Sequence, residues 1–246
     1  MTPDRRAALT AGALFIAATA ASLLSSAVEH PVLSGTGYLA RIAGNVSRVS
    51  AGGLLELIEA GTSVGIAVAL YPVLRKHSEG LALGSVVFRA LEAAMYTVGA
   101  VVMLSLPAAA RPYTQATALS RGGIQATGDA LTGLRQAAIL AGVFAFVVGA
   151  LLYYCVLYRS RLVPRWLSGW GIAAEVPLLA ACLSALFGRT PVTSYTVLIL
   201  PIAVQEMVLA LWLIFRGFSR GATQASAPGE HGLLEMGHPG GQAVQR

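Results

Sequence analysis

The sequence predicts an all-α, polytopic membrane protein: a bundle of six transmembrane helices with both termini in the cytoplasm. Three observations lead there. The first is composition. Of 246 residues, 56% are hydrophobic and only 11% are charged, against about 25% charged in an ordinary soluble domain. Mean hydropathy is +0.69. The second is length. Six apolar runs approach or exceed the roughly 20 residues that an α-helix needs to cross a hydrocarbon core. The third is the placement of basic residues, which cluster between those runs.

The first span is expected at about 7–28, after Arg5 and Arg6. Its length favours a retained helix over a cleaved signal, whose apolar stretch is about 7–15 residues. In Pro31–Ser50, Leu39, Ile42, Val46 and Val49 recur at helical spacing, with Arg41, Asn45 and Arg48 between them. That pattern fits a short amphipathic surface helix or an ordinary polar loop. The second and third spans are expected at about 51–74 and 82–106, joined by the basic turn Arg75-Lys76-His77. Pro107 and Pro112 then break the pattern, and Arg111–Leu131 reads as a polar loop.

The fourth span, about 132–157, ends in Tyr153, Tyr154 and Tyr158, as at a membrane–water interface. The fifth, about 167–187, contains Glu175 and Pro177, so a kink is expected there. The sixth, about 192–216, contains Pro201, Gln205 and Glu206. Residues 1–220 thus form one six-helix domain. Residues 221–246, rich in Gly, Pro, Ser and Gln, read as a disordered cytoplasmic tail.

With the N-terminus inside, the inner segments hold Arg5, Arg6, Arg75, Lys76, Arg159, Arg161, Arg165, Arg216, Arg220 and Arg246. The outer segments hold Arg41, Arg48, Arg111, Arg121, Arg135 and Arg189. Basic residues concentrate on the cytoplasmic side of membrane proteins, so this excess places the chain in the cytoplasmic membrane with both termini inside. The net charge of +6 is accounted for by these flanks, which argues for a lipid bilayer partner and against nucleic acid.

Three stretches, ALYPVLRKHSEGLALGSVVFRALEAAMY, LYRSRLVPRWLSGWG and PIAVQEMVLALWLIFRGF, resemble the bacterial membrane family called domain of unknown function 4386. The resemblance covers nearly all of Ala7 to Phe218, with the motifs in the family's order and spacing. It implies a helical integral membrane protein and supplies no catalytic residues. Phe88-Arg89, Pro164-Arg165, Glu206 and Leu211-Trp212 are the matching positions. The chain departs from the pattern in the fourth span, which holds no His, and at Glu175.

The chemistry-bearing residues are charges inside apolar spans. Five of the eleven acidic residues, Glu56, Glu59, Glu92, Glu175 and Glu206, lie there, with Arg89 and Gln205. Each charge at bilayer depth costs about 2.5–3.5 kcal/mol on insertion scales, so each needs a partner or a task. Helical rise places Arg89, Glu206 and Glu175 in one inner layer, and Glu59 with Glu92 nearer the middle. Arg89 is expected to pair with Glu206 first, Glu175 second and Glu92 third, which requires the third and sixth spans to be adjacent. Gly61 and Gly65 form a GxxxG pattern suited to close helix packing.

No His lies in a span and no nucleophile–base motif appears, so no catalytic residue, metal ligand or cofactor is assigned. Cys155 and Cys182 lie in apolar runs without metal spacing. Two function classes stand open. One is a small-molecule or ion-binding, transport-like bundle that uses the buried carboxylates. The other is a non-catalytic membrane subunit that packs against a protein partner or organises lipid.

Overall fold

The computed structural model describes residues 1–188 and 190–219. The expected tail at 221–246 lies outside the described residues. Seven α-helices follow one another, with no strand among the described residues: α1 Pro3–Leu33, α2 Tyr38–Gly44, α3 Val46–Leu74, α4 Glu79–Ala110, α5 Ala118–Ser160, α6 Arg165–Phe187 and α7 Thr196–Phe215. All but the short α2 are long and apolar enough to cross a membrane. The chain is a multi-pass integral membrane protein.

The six long helices form a closed ring. α1 packs on α3, α3 on α4, α4 on α5, α5 on α6 and α6 on α7, and α7 returns to α1. Large apolar side chains such as Leu54, Val68, Val87, Val101, Val176 and Leu200 are exposed, while Arg89, Glu92, Glu175 and Gln205 are buried. An apolar exterior around a polar interior is what a bilayer solvent selects.

The ring closes where α1 meets α7. A Cβ on Gly12 would lie 2.8 Å from the Ala210 carbonyl oxygen, so only glycine allows the two backbones this approach. At one end of the seam Arg5 donates to the carbonyls of Leu213 (3.0 Å) and Ile214 (2.6 Å), capping α7 from α1. At the same end Lys76, just after α3, pairs with Asp4 of α1 at 2.7 Å, and the Ser219 amide donates to Leu162 at 2.9 Å. The expected GxxxG contact is corrected in part. Gly65 meets Leu14 of α1, but a Cβ on Gly61 would face open space.

The opposite end carries a cap that the sequence reading only half supplied. α2 is a helix, and it buries Leu39 and Ile42 against Val32, Val49, Met103 and Leu106. The expected loop 111–131 is corrected: after a short 3-10 turn at Arg111–Thr114, α5 is helical from Ala118. At 1.5 Å per residue its 43 residues reach about 64 Å, twice a hydrocarbon core of about 30 Å. Its polar first turns therefore project beyond the membrane and pack on α2. There Tyr38 donates to Asp129 at 2.8 Å, and burial with that acidic neighbour pushes the Tyr38 phenol up to about 12. Arg41 completes the cap by donating to the carbonyl of Val32 in the last turn of α1 and to that of Thr36 just after it.

A candidate intramembrane site of cross-ring ion pairs

In a six-membered ring each helix has one opposite. α4 faces α7, α1 faces α5 and α3 faces α6. The buried charges connect opposites, and they fall into two clusters.

The first cluster surrounds Arg89, which is 2% exposed. Its Nη1 donates to Glu92 Oε2 at 2.9 Å, one turn along α4. Its Nη2 lies 3.8 Å from Glu206 Oε1 of α7, directly across the ring. The expected order of partners is therefore corrected: Glu92 is the tight contact and Glu206 the looser one. Glu175 makes no ion pair with Arg89 and lies only within Coulombic reach of it. The i,i+3 geometry explains the order, because a same-face neighbour needs no second helix to be positioned. The required adjacency is corrected too. α4 packs chiefly on α3 and α5, and α7 on α1 and α6, so the Arg89 side chain reaches across the ring to Glu206 of α7.

α5 shapes the site from the side. A Cβ on Gly149 would sit 3.3 Å from Arg89 Cγ, so the bare backbone lets the arginine stem pass. The Arg89 guanidinium lies over the Phe146 ring, 4.6 Å from its centroid, a contact that supports a cation removed from water. Tyr153 and Tyr154 correct another expectation. They are fully buried and face the interior; only Tyr158 stays exposed at the interface. The Tyr153 hydroxyl approaches Glu206 at 3.4 Å. Tyr154 donates to Gln205, whose amide donates to the Leu167 carbonyl of α6 at 3.0 Å.

Glu175 stands apart. It is 1% exposed, and both of its carboxyl oxygens lack a hydrogen-bond partner. Three carboxyl groups, Glu92, Glu175 and Glu206, thus stand in one cluster with one guanidinium, which pairs with Glu92 and Glu206 only.

The second cluster was missed in part. Arg135 of α5, counted above with the outer segments, turns inward and pairs through Nη2 with both Glu29 of α1 and Glu56 of α3. Glu29 also accepts from Ser25. The signal for Arg135 was present, since it sits only a few residues inside an apolar run. Glu29, at the end of the first run, carried none.

Glu59 lies between the clusters. It makes no ion pair and is within Coulombic reach of Glu92 on one side and of Glu56 and Glu29 on the other. Ser63 Oγ, one turn further along α3, faces Glu92 without a formed hydrogen bond.

All seven residues singled out in the sequence are thus in the ring: Arg89, Glu92, Glu175, Gln205 and Glu206 in one cluster, Glu56 in the other and Glu59 between them. Among the described residues no group of His, Cys, Asp and Glu is arranged to hold a metal ion. Chemically, the arrangement can take up protons or cations. Six interior carboxyls face two guanidiniums, and an unbalanced carboxylate is costly at low dielectric.

The sequence signature of a family described as Domain of unknown function (DUF4386) matches residues 10–217. The chain belongs to that family. The matched range takes in every residue of both clusters of this DUF4386 member. No curated protein and no solved structure matches the chain.

Proposed function

We propose that the bundle is an ion-binding, transport-like membrane protein, whose interior carboxyls take up protons or small cations around Arg89. The observation that carries this reading is Glu175. A carboxyl buried without a single hydrogen-bond partner, beside a cluster already short of positive charge, serves no packing purpose that Leu or Gln would not serve better. An ionisable residue inside a membrane is a functional candidate by default.

The test is ion flux in proteoliposomes. Under an imposed membrane potential the parent protein should move protons or a monovalent cation. Glu175→Gln and Glu92→Gln should each lower that flux at least tenfold. A parent that moves neither would overturn the reading. One observation favours a second reading, a non-catalytic membrane subunit: two open depressions, of about 620 and 640 Å³, lie at the ends of the bundle and not at its centre. No flux together with a co-purifying protein partner is the outcome that reading expects.

We also place both ends of the described chain in the cytoplasm, with the cytoplasmic membrane as the location. Arg5, Arg75, Arg159, Arg161, Arg165 and Arg216 gather at the end where α1 starts and α7 stops, as the positive-inside rule requires. At that end Trp166 and Trp212 meet edge to face, and Arg216 lies over Trp212. In protein carrying Cys155→Ala and Cys182→Ala, a single cysteine placed as Thr117→Cys should react with an impermeant thiol reagent added to intact cells. Silence there, with labelling only after lysis, would reverse the orientation.

A further inference from the structure

We infer that Glu29, Arg135 and Glu56 form a second ion site, in series with the Arg89 cluster, in which Arg135 is a tethered cation that closes the outer end of the ring. The inference rests on the proposed reading of the interior as an ion path.

The first argument is position. Counted from the end where α1 starts, helical rise puts Glu206, Glu175 and Arg89 at about 14–15 Å, Glu92 at about 20 Å, Glu59 at about 23 Å and Glu56 at about 27 Å. Arg135 and Glu29 lie at about 38–39 Å by the same rise. Titratable groups therefore follow one another along most of the bundle's length. Beyond the triad come the cap of α2, the last turns of α4 that pack on it and the first turns of α5.

The second argument is geometry. The triad joins α1 to its opposite, α5, and adds α3, so its side chains cross the ring between three of the six helices. Glu29 and Glu56 are each more than nine-tenths buried. Glu56 Oε2 and Arg135 Nε nevertheless have no partner. A purely structural clamp would use those atoms; a fork engaged through Nη2 alone leaves the second contact unmade. Among the described residues Glu59, one turn along α3 from Glu56, is the one further charge near the triad; the other neighbours are uncharged: Ser25 on α1, the Gly52 carbonyl on α3, and Gly99 of α4, where a Cβ would lie 3.9 Å from Arg135 Cγ.

Two carboxylates around one cation define the ligand class. When the Arg135 head moves aside, Glu29 and Glu56 offer a proton or a small monovalent cation the place that the guanidinium held. Glu59 then lies next on the way to Glu92.

Access from outside tests this without requiring transport. In full-length protein carrying Cys155→Ala and Cys182→Ala, one cysteine is placed inward of the triad as Ser63→Cys. In a second protein it is placed near the inner end as Ser85→Cys. Both serines are at most 2% exposed. An impermeant thiol reagent added to intact cells should leave both nearly unlabelled. Adding Arg135→Gln should speed labelling at position 63 at least tenfold and leave position 85 unchanged. Adding Arg135→Lys instead should keep position 63 closed, because contacts made through one nitrogen ask for a point charge and not a planar fork. Unchanged labelling at position 63 in Arg135→Gln would overturn the closure. So would faster labelling at both positions, which would mean that the whole bundle had loosened. A negative result here leaves the effect of Glu175→Gln on flux standing, so the two readings fail separately.

Discussion

At the scale of single residues, burial is bought with specific local devices. Arg89 stays inside the ring because Glu92 is one turn away, Gly149 leaves room for its stem and Phe146 covers its guanidinium. Arg161 shows an opposite case. It ends α5 at φ +56°, the left-handed region, and is the one non-glycine with positive φ among the described residues. Its side chain is exposed and makes no hydrogen bond or ion pair among the described residues. A side chain at such a helix end carries strain that glycine lacks. Arg161→Gly should relieve about 1–2 kcal/mol of left-handed strain against about 0.5–1 kcal/mol of added chain entropy, a net gain read as a higher melting temperature of the detergent-solubilised protein. A lower melting temperature would mean that Arg161 has a partner in the membrane interface.

At the scale of elements, what could be read in the sequence was what the bilayer itself imposes. Six apolar runs gave six helices, because a spanning segment must satisfy its backbone internally and so declares itself by length and apolarity. Where that constraint ends, so did legibility. The first turns of α5 carry Gly122, Gly123, Thr127 and Gly128 with few apolar residues, a composition that reads as loop. They are helical because they continue a long helix and lean on α2, and a local pattern does not contain that support. Tyr153 and Tyr154 were misplaced for a related reason. Aromatics near a run of arginines resemble an interface belt, and only the packing of α5 against α6, where Gly171 gives way to the Tyr154 ring, turns them inward. The candidate site followed the same division. Charges within apolar runs stood out, whereas Glu29, at a run's edge, needed the third dimension.

At the scale of the whole molecule, the organising feature is the ring and the pairs that cross it. Sequential neighbours pack side by side, as short connections favour. Opposite helices meet through charge: α4 with α7 through Arg89 and Glu206, and α1 with α5 through Glu29 and Arg135. The ion path proposed for the interior depends on this arrangement, because only cross-ring contacts bring the carboxyls of separate helices into one column.

The most direct test is a double-mutant cycle on Arg89 and Glu206, reading unfolding free energy in lipid bicelles for the parent, Arg89→Ala, Glu206→Ala and the double variant. The account predicts a coupling of about 0.5–3 kcal/mol, since residues in one ion-pair network do not act independently. Costs that add to within about 0.5 kcal/mol would show that α4 and α7 are not joined across the ring.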